Sequence, residues 1–449
     1  MTGVVLCLIA LVSVAICSSH EHESWTAQSA TERRSSGAPA GPTYYREVLP
    51  ILRQHCVICH HASGIAPMSF ESYEDARRYS KIIRKVAQDK TMPPSFAIPL
   101  AGRVSNDPSL TSEEISKLAA WANLNAPAGD QHNPPSERPA AAPWSIPKPD
   151  FILKMPQAVA IPSSGDIEYT YEIVPTGFTE GRWVQMAEVV PSLPAMVRQA
   201  IVFIRGPGSH WLRHAPVGKP FTTATLAGDK DRHWADDDIL MVYAPGTPVD
   251  EWPASMAKFI PPGADLIFRL QYITNGTAGA DQSSVGLVFS KRKPPQRVVT
   301  LVLTNDQFTI PPGASDCRVE AHGVLGKDAV LLSLFPNMHL RGKGFEYDVV
   351  HTGNRSSNQP EPQIEILLRV NYDLRWQTNY HLKEPRLLRA GTNLRVVGWY
   401  DNSPNNPHNP DPNASVGSGD QARDEVLLGF FEVSVPASLG EHGNLIRQQ

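Results

Sequence analysis

The stretch Cys56-Val57-Ile58-Cys59-His60 is the most chemically specific pattern in the chain, with two thiols three positions apart and an imidazole directly after them. Two thiols on one helical turn can each form a thioether with a haem vinyl group, and the adjacent histidine can ligate the iron from the same face. The competing interpretations are a thioredoxin-like redox pair, which needs a βαβ setting, and half of a zinc site, which needs a second Cys/His pair. The surrounding sequence offers neither, so the motif predicts one covalent haem c with His60 as the proximal ligand.

The sixth iron ligand is predicted from the methionines that follow the motif. The turn Lys90–Pro94, stiffened by two prolines, presents Met92 after a basic helix, where its thioether could face the iron. Met68 follows His60 closely, which leaves little chain to pass around the haem ring. We therefore expect His/Met ligation through Met92. Met68 is the alternative ligand, and filling a gap in the core is the alternative role for Met92.

Helical periodicity surrounds the motif. The predicted helices are Tyr44–Leu52, Ser72–Gln88 and a third that runs from a cap at Thr111 to about Asn125. These segments predict a small all-α domain over residues 43–126, which the haem motif makes a cytochrome c domain. A Pro- and Ala-rich stretch, 127–149, follows as a semi-extended linker.

Beyond the linker the hydrophobic period changes to two, which predicts strands. In a first series these are 168–174, 200–204, 266–272 and 285–289, and in a second 298–303, 329–334, 345–350, 364–370, 394–399 and 427–433. Two all-β sandwich domains, 150–293 and 294–436, with a tail at 437–449, are the simplest interpretation. The 41 prolines and 31 glycines, which are not periodic, suit many short strands and turns.

The N-terminus predicts export. An apolar run from Val4 to Ile16 is too short to span a bilayer and fits the core of a signal peptide, with cleavage after Cys17. Lipid attachment at Cys17 is the alternative, and residues 18–42 read as a flexible segment. No other stretch predicts a transmembrane helix. A net charge of −4 and a pI near 6.4 argue against a nucleic-acid partner.

The chain from about residue 43 to 435 resembles a bacterial group of exported proteins that join a small cytochrome c to a copper type II, ascorbate-dependent monooxygenase-like module. Relatives of that module include peptidylglycine α-hydroxylating monooxygenase. The matching stretches are Ile65–Ser69, Lys90–Pro94, Val174–Phe178, Tyr243–Gly246, Pro336–Lys343 and Asp401–Pro407. The resemblance implies two jelly-roll-like sandwiches that face each other across a solvent-filled cleft.

The resemblance also implies two copper centres whose ligands this chain largely lacks. The adjacent His-His pair aligns with Arg198 and Gln199, and the later lone histidine with Gln271. The second centre needs His-x-His and a methionine, and the aligned residues are Asn337, His339 and Val426. Copper held by nitrogen and sulfur donors needs imidazole or thioether lone pairs, so we expect no copper and treat His339 as a relic of a ligand position.

Three further features have mainly structural interpretations. Asp401–Asp420 could hold calcium, but a turn-rich loop is the simpler role. Cys317 is expected to be a buried free thiol. If cleavage falls after Cys17, the new terminus Ser18-Ser19-His20 could chelate Cu(II).

These expectations combine into an exported, periplasmic or surface-located mono-haem cytochrome that transfers electrons, with its sandwich pair kept as a scaffold or binding module. It would act with a redox partner protein, and basic residues between Arg77 and Lys90 could steer an acidic one. The alternatives are a copper monooxygenase that receives electrons from the haem, and an interaction protein whose haem is structural.

Overall fold

The backbone is mostly β strand with few helices, in a computed structural model of the chain. The structure describes residues 41–62, 64–94, 97–98, 104–131, 144–165, 167–226, 238–247, 249–351, 363–419, 421, 423–439 and 445–449. Gly41–Gln449 belong to one compact unit. The predicted leader and nearly all of the segment that follows it lie outside the described residues.

Four α-helices lie near the start of this unit. They are α1 (Leu49–His55), which continues one π-helical turn over Tyr44–Val48, α2 (Tyr73–Arg78), α3 (Ser80–Gln88) and α4 (Ser112–Asn123). The cap predicted for α4 is present, because the Thr111 hydroxyl accepts from the Glu114 amide while the Glu114 carboxylate accepts from the Thr111 amide. No helix among the described residues has both the length and the apolar character needed to cross a bilayer.

The helices pack around the buried indole of Trp121, whose N–H donates to the Pro127 carbonyl over 3.1 Å. Leu52 from α1, Ile83 from α3 and Leu118 from α4 share this core. The single helix predicted over Ser72–Gln88 is wrong in one respect, since the backbone leaves the helical region at Tyr79 and divides it into α2 and α3. The Tyr79 ring centroid lies 6.0 Å from that of Phe70, which explains why the apolar period runs on across the break.

The first β half of the chain contributes eleven strands after the short β1 (Ala97–Ile98). They are β2 (Phe151–Lys154), β3 (Val159–Ile161), β4 (Thr170–Pro175), β5 (Arg182–Val190), β6 (Val197–Arg205), β7 (Asp238–Tyr243), β8 (Asp250–Glu251), β9 (Met256–Ile260), β10 (Asp265–Tyr272), β11 (Gly279–Asp281) and β12 (Ser284–Phe289).

The second β half contributes the remaining strands. They are β13 (Gln296–Thr304), β14 (Thr309–Ile310), β15 (Cys317–Leu325), β16 (Ala329–Asn337), β17 (Gly342–His351), β18 (Gln363–Asn371), β19 (Tyr380–Leu388), β20 (Asn393–Tyr400), β21 (Val416–Gly417), β22 (Leu428–Pro436) and β23 (Ile446–Gln448). Each strand predicted from the period-two pattern is present, and the structure adds among others β5, β7, β15 and β19.

Three large sheets organise the described strands. The first has the order β1-β18-β17-β20-β15-β23, and the second has the order β4-β10-β6-β7. The third is nine-stranded, with the order β19-β16-β22-β13-β9-β5-β12-β2 and β8 paired to β5. Parallel pairing between β9 and β13 joins the two β halves within this third sheet.

The four-stranded sheet is buried on both faces. On β6, Ala200, Val202 and Ile204 point into a core shared with β5 and β12, while Ile201 and Phe203 point into a second core. That second core includes residues of β13, β16 and β22, such as Val302, Phe335 and Phe430. The two halves of the nine-stranded sheet therefore cover opposite faces of the four-stranded sheet, a setting typical of near-continuous apolar strands.

The segment between α3 and α4 lies on the second β half. β1 pairs with β18, and Val104 forms a bridge with Leu382 and is buried in the core of that half. The Asn106 amide group donates to the Asn379 carbonyl over 2.7 Å and accepts from the His381 amide over 3.0 Å. The helices are thus tied to the strands by main-chain and side-chain hydrogen bonds.

Candidate functional site

The two thiols and the imidazole of the Cys56–His60 motif lie together directly after α1. The amides of Cys59 and His60 both donate to the Cys56 carbonyl, over 3.1 and 2.9 Å, which keeps the five residues in one compact turn. Burial raises the pKa of the Cys56 thiol to about 12 and that of Cys59 to about 11. Burial therefore favours the protonated form of both thiols, and neither sulfur belongs to a disulfide.

His60 is held in one orientation. Its Nδ1 lies 3.0 Å from the Met68 carbonyl oxygen, and since a carbonyl only accepts, the proton must be on Nδ1. The ring also stacks on Phe70, with centroids 4.4 Å apart and planes 15° apart. This arrangement leaves the Nε2 lone pair as the one available to a metal, and burial lowers the pKa of the imidazole, which favours the neutral form.

The two candidate methionines lie at different places relative to this ring. The backbone of Met68 lies on the Nδ1 side of His60, away from Nε2. Met92 lies after α3 in a turn where its amide is 3.4 Å from the Val86 carbonyl, and it is partly buried. The ring nitrogens of the neighbouring His55 lie 3.0 Å from the Pro108 carbonyl and 3.2 Å from the Glu114 carboxylate, so this imidazole is engaged outside the motif.

A turn of the first β half covers the Cys59 thiol. Gly246 has a φ of +83°, and a Cβ atom placed on it would lie 3.2 Å from the Cys59 sulfur and 3.7 Å from Ile58. Tyr243, at the end of β7, precedes this turn, and burial followed by the nearby Cys59 raises the pKa of its phenol well above the ordinary value. The haem motif is therefore in direct contact with the strands. Sequence reasoning had noted Tyr243–Gly246 only as part of a resemblance.

The positions aligned with copper ligands meet at the interface between the two β halves. Gln199 on β6 and Asn337 on β16 both donate from their side-chain amides to Oε1 of Gln377, each over 2.6 Å. We call these three residues the amide bridge. All three are nearly or fully buried, and Gln271 lies opposite Gln199 in the register of β6 and β10.

The remaining positions carry charge and hydrogen bonds. The Arg269 guanidinium lies 3.9 Å from the centroid of the Tyr169 ring, which in turn lies 5.2 Å from the His339 ring. Nδ1 of His339 is 3.0 Å from the Asp424 carbonyl, so the relic histidine is fully buried and hydrogen-bonded. Burial and the neighbouring Arg375 lower the pKa of Arg198. Two guanidinium groups within this cluster disfavour a bound cation.

A buried carboxylate supports the turn that carries His339. Glu425 accepts from the Arg341 amide over 2.6 Å and from the His339 amide over 3.0 Å, and the Arg341 guanidinium lies 4.0 Å away. Its burial is complete and raises the pKa of the carboxyl group to about 7. Arg341 itself donates to Asn402 and to the Arg423 carbonyl, both over 2.8 Å.

The expectation that these polar residues remain hydrated in an open cleft is wrong for the described residues. Gln199 is 2% exposed, Gln271 9%, and Asn337 and His339 0%. The reason is the apolar contact of Phe335 and Phe430 with the four-stranded sheet, which brings the two β halves together beside the cluster.

Cys317 and the loop after Asp401, two other features singled out in the sequence, have structural roles. Cys317 is a free thiol as expected, but it is half-buried at the start of β15 rather than fully buried. The loop after Asp401 consists of turns in which side-chain oxygens of Asp401, Asn406 and Asp411 accept from amides two residues further on. Within the described residues, no group of three or more His, Cys, Asp or Glu side chains is arranged to hold a metal ion. Ser18–His20 lie outside them.

Sequence reasoning missed the partners that complete these sites. Gln377 has no motif around it, and Gly246 belongs to a common turn pattern. Burial of Glu425 could have been suspected from the apolar run that follows it, but not its hydrogen bonds to the turn at His339. These contacts depend on chain segments far apart in sequence.

Comparison with known proteins identifies no family. No family model matches the chain, and no curated protein matches it. Among solved structures, one of PNGF-II is similar at 12% identity over 65% of this chain, with a TM-score of 0.22. The chain spans only 62% of the length of that structure. A structure of infectious bursal disease virus, Gx strain, is similar at 9% identity over 69% of this chain and 78% of that one, with a TM-score of 0.17.

The contact at Gly246 generates a first prediction. Gly246→Ala should lower the midpoint of thermal unfolding more than Gly177→Ala does. Both positions have a positive φ, +83° and +69°, so both variants bear the conformational cost of roughly 1 kcal/mol. At Gly177 no described atom lies within 4 Å of the added Cβ, so the difference measures the clash with Cys59. Equal midpoints would show that the turn at Gly246 does not press on the motif.

The buried carboxyl group of Glu425 generates a prediction about pH. Its pKa of about 7 in the folded chain exceeds the ordinary 4.5, so the folded state binds the proton more tightly. The protonated carboxyl group contributes roughly 3 kcal/mol to the free energy of unfolding below pH 4.5, and this contribution is lost as the pH rises through 7. Denaturant unfolding at a series of pH values should show this decline in the parent chain, and Glu425→Gln should remove it. A decline of equal size in the variant would assign it to other groups.

Proposed function

We propose that this protein is an exported mono-haem c-type cytochrome that transfers electrons and carries a copper-monooxygenase-like β module without copper centres. The observation that carries the proposal is the hydrogen bond from Nδ1 of His60 to the Met68 carbonyl, in an imidazole that shares one turn with the Cys56 and Cys59 thiols. An imidazole held in this way presents Nε2 to a metal with a fixed tautomer and ring plane. A thioredoxin-like role does not account for the fixed imidazole, and a zinc site would need further ligands, whereas the described His, Cys, Asp and Glu side chains form no group of three or more that could hold a metal ion.

The residues present fit a covalent haem. Cys56 and Cys59 would hold the porphyrin through thioethers, and His60 would ligate the iron, which supplies reversible one-electron chemistry when bound. Phe70 keeps the imidazole plane in place by stacking, and the turn at Gly246 shields the Cys59 side from water. Low solvent access and a thioether ligand both raise the reduction potential of such an iron.

Met92 is the better candidate for the sixth ligand. Because the Met68 carbonyl accepts from Nδ1, the Met68 backbone lies on the side of His60 that faces away from the iron. A side chain at that place would have to pass around the porphyrin edge to reach the opposite face. Met92 approaches from the end of α3, a separate element that packs against α4, and so carries no such constraint.

The interface between the β halves supports loss of copper. At this place a copper ion would need imidazole or thioether donors, whereas Gln199 and Asn337 are hydrogen-bonded to Gln377. The positive charges of Arg198 and Arg269 lie in the same cluster and repel cations. A haem-fed copper monooxygenase, the alternative from the resemblance, would require breaking the amide bridge and providing new ligands.

The proposal also covers the domain organisation of the chain and its location in the cell. A small all-α cytochrome c domain would be followed by two jelly-roll-like sandwiches, and a cleaved leader would direct the chain to the periplasm or the outer surface. The exposed basic side chains on α2 and α3, namely Arg77, Arg78, Lys81 and Lys85, provide a surface for an acidic redox partner.

The haem proposal is tested by making the chain with a cytochrome c maturation system. Pyridine haemochrome and haem staining of a denaturing gel should show one covalent haem c per chain. Cys56→Ala and Cys59→Ala should each weaken or abolish attachment, while Cys317→Ala, a matched control at a half-buried thiol outside the motif, should not. Absence of covalent haem in the parent chain would end the proposal.

The ligand assignment predicts a spectroscopic signature. The oxidised protein should show the weak near-infrared band of a sulfur-to-iron bond, and Met92→Ala should remove it and lower the potential because the thioether is lost. Met68→Ala should keep the band, since only the Met68 backbone contacts His60. A band that persists in Met92→Ala and disappears in Met68→Ala would reverse the assignment.

Copper analysis tests the rest of the proposal. After dialysis the protein should contain no stoichiometric copper and show no ascorbate- and copper-dependent hydroxylation. The expectation rests on Arg198, Gln199, Gln271, Asn337 and Val426 at the ligand positions. Two tightly bound copper ions per chain would restore the monooxygenase interpretation. A single loose copper would be assigned by deleting residues 18–22, because His20 near a processed terminus could bind it.

A further inference from the structure

A cavity at the junction of three chain segments lies outside the site proposed for electron transfer. It is open to solvent, has a volume of about 370 Å³, and lies between the segment at Asn106, the strand β8 region of the first β half and β16 and β19 of the second. This volume is in the range of small-molecule sites, which often lie where parts of a protein meet. Its lining includes Trp252, Leu332, His381 and Glu432.

The walls of this junction cavity are apolar on one side and acidic on the other. Trp252 and Leu332 provide aromatic and aliphatic surface, while the Glu432 carboxylate lies at the inner end and the exposed Glu251 carboxylate lies at the rim. The Trp252 indole N–H donates to Oε1 of Glu432 over 3.0 Å, which fixes the ring beside the acid.

Buried carboxyl groups outnumber buried ammonium groups behind the cavity, within the described residues. Asp238, Asp250 and Glu432 are all buried, and the only buried ammonium group near them in the described chain is that of Lys258. Its Nζ lies 3.2 Å from Asp238 and 3.5 Å from Glu432, and also donates to the Ile239 carbonyl and the Thr300 hydroxyl. Burial and the nearby Glu432 raise the pKa of Asp250 well above its ordinary value, although Lys258 is nearby and Nε2 of His381 lies 3.5 Å from its carboxylate.

The polar lining continues into a smaller inner cavity of about 20 Å³, which Asp250 and Glu432 also line. This is room for one water molecule. The Ser333 hydroxyl and the Asn379 side-chain oxygen face it, and within the described residues neither has a hydrogen-bond partner. Buried polar atoms are usually satisfied, so these two indicate that the place is occupied by solvent or ligand in the working protein.

We propose that the junction cavity binds a small organic cation with an apolar body. The ammonium group would lie between Glu432 and Glu251, and the apolar body against Trp252 and Leu332. Such a ligand brings positive charge to the Glu432 and Glu251 carboxylates, and an aromatic wall beside a carboxylate is a favourable environment for an ammonium group. A carboxylate-bearing ligand would meet like charge, and the described His, Asp and Glu side chains are not arranged to chelate a metal ion.

The proposal goes beyond electron transfer and does not depend on the haem. It is tested with the full-length mature protein by isothermal titration calorimetry at neutral pH. The probes are benzylamine, benzyl alcohol and phenylacetate, which share a ring and differ in charge. Benzylamine should bind about tenfold or more tightly than the alcohol, because the charge pair and the aromatic contact add to the same apolar burial. Phenylacetate should bind most weakly. Equal affinity for all three would overturn the proposal.

Two variants locate the site. Glu251→Gln should weaken benzylamine several-fold and leave benzyl alcohol unchanged, whereas the control Glu180→Gln, at another exposed carboxylate, should change neither. Leu332→Trp should fill the cavity and abolish binding of both, whereas Val330→Trp, a partly buried position on the same strand outside the lining, should not. Benzylamine binding that survives both Glu251→Gln and Leu332→Trp without change would place it elsewhere and refute the proposal. Because Glu251 is exposed, Glu251→Gln should fold even if Leu332→Trp does not. Unchanged benzylamine binding in Glu251→Gln would then refute the proposal by itself.

Discussion

The burial of both faces of the four-stranded sheet is the constraint on which the rest of the structure depends. β6 is apolar from Ala200 to Ile204 and β10 from Leu266 to Phe268, and successive side chains in a strand point to opposite faces, so neither face of the sheet can be left in water. The nine-stranded sheet satisfies both, because the pairing of β9 with β13 lets it continue from one β half into the other. The two halves are consequently held together by main-chain hydrogen bonds as well as by side-chain packing, and relative motion between them would expose a large apolar area.

This constraint explains the chemistry of the interface. The polar residues Gln199, Gln271 and Asn337 lie near strand ends at this interface. They are enclosed by the same contact that buries Phe335 and Phe430. An enclosed polar group must be hydrogen-bonded, and the amide bridge meets that need for Gln199 and Asn337 through a single carbonyl oxygen of Gln377. A side chain able to bind copper at these positions would instead require an accessible lone pair. Glu425 and Arg341 are enclosed in the same way. Both are ionisable groups whose hydrogen bonds are made inside the protein.

The helices depend on the strands for their placement. Between α3 and α4 the chain adds β1 to the edge of a sheet and inserts Val104 into its core, and after α4 the amides of Ser145 and Ile146 donate to the Glu188 carboxylate. The Cys59 thiol contacts the turn at Gly246. The helical part is thus held from three sides, and the junction cavity arises where the second of these attachments leaves space between Asn106, Trp252 and His381.

Local chemistry in the sequence by itself determined the elements and the haem motif. Alternating apolar residues are sufficient to predict strands such as β13 and β22, because a half-buried strand needs that period, and Thr111 with Glu114 is sufficient to predict the start of α4. The spacing of Cys56, Cys59 and His60 is likewise a local property of one turn. Only the tertiary structure decided that the cleft implied by the resemblance is closed, that Gln377 bridges the two halves, and that Trp252, Glu432 and His381 line one cavity. Those facts depend on pairings such as β9 with β13 and on side chains from segments far apart in sequence. The hydrophobic pattern of a single segment does not show which of its polar residues another segment will bury.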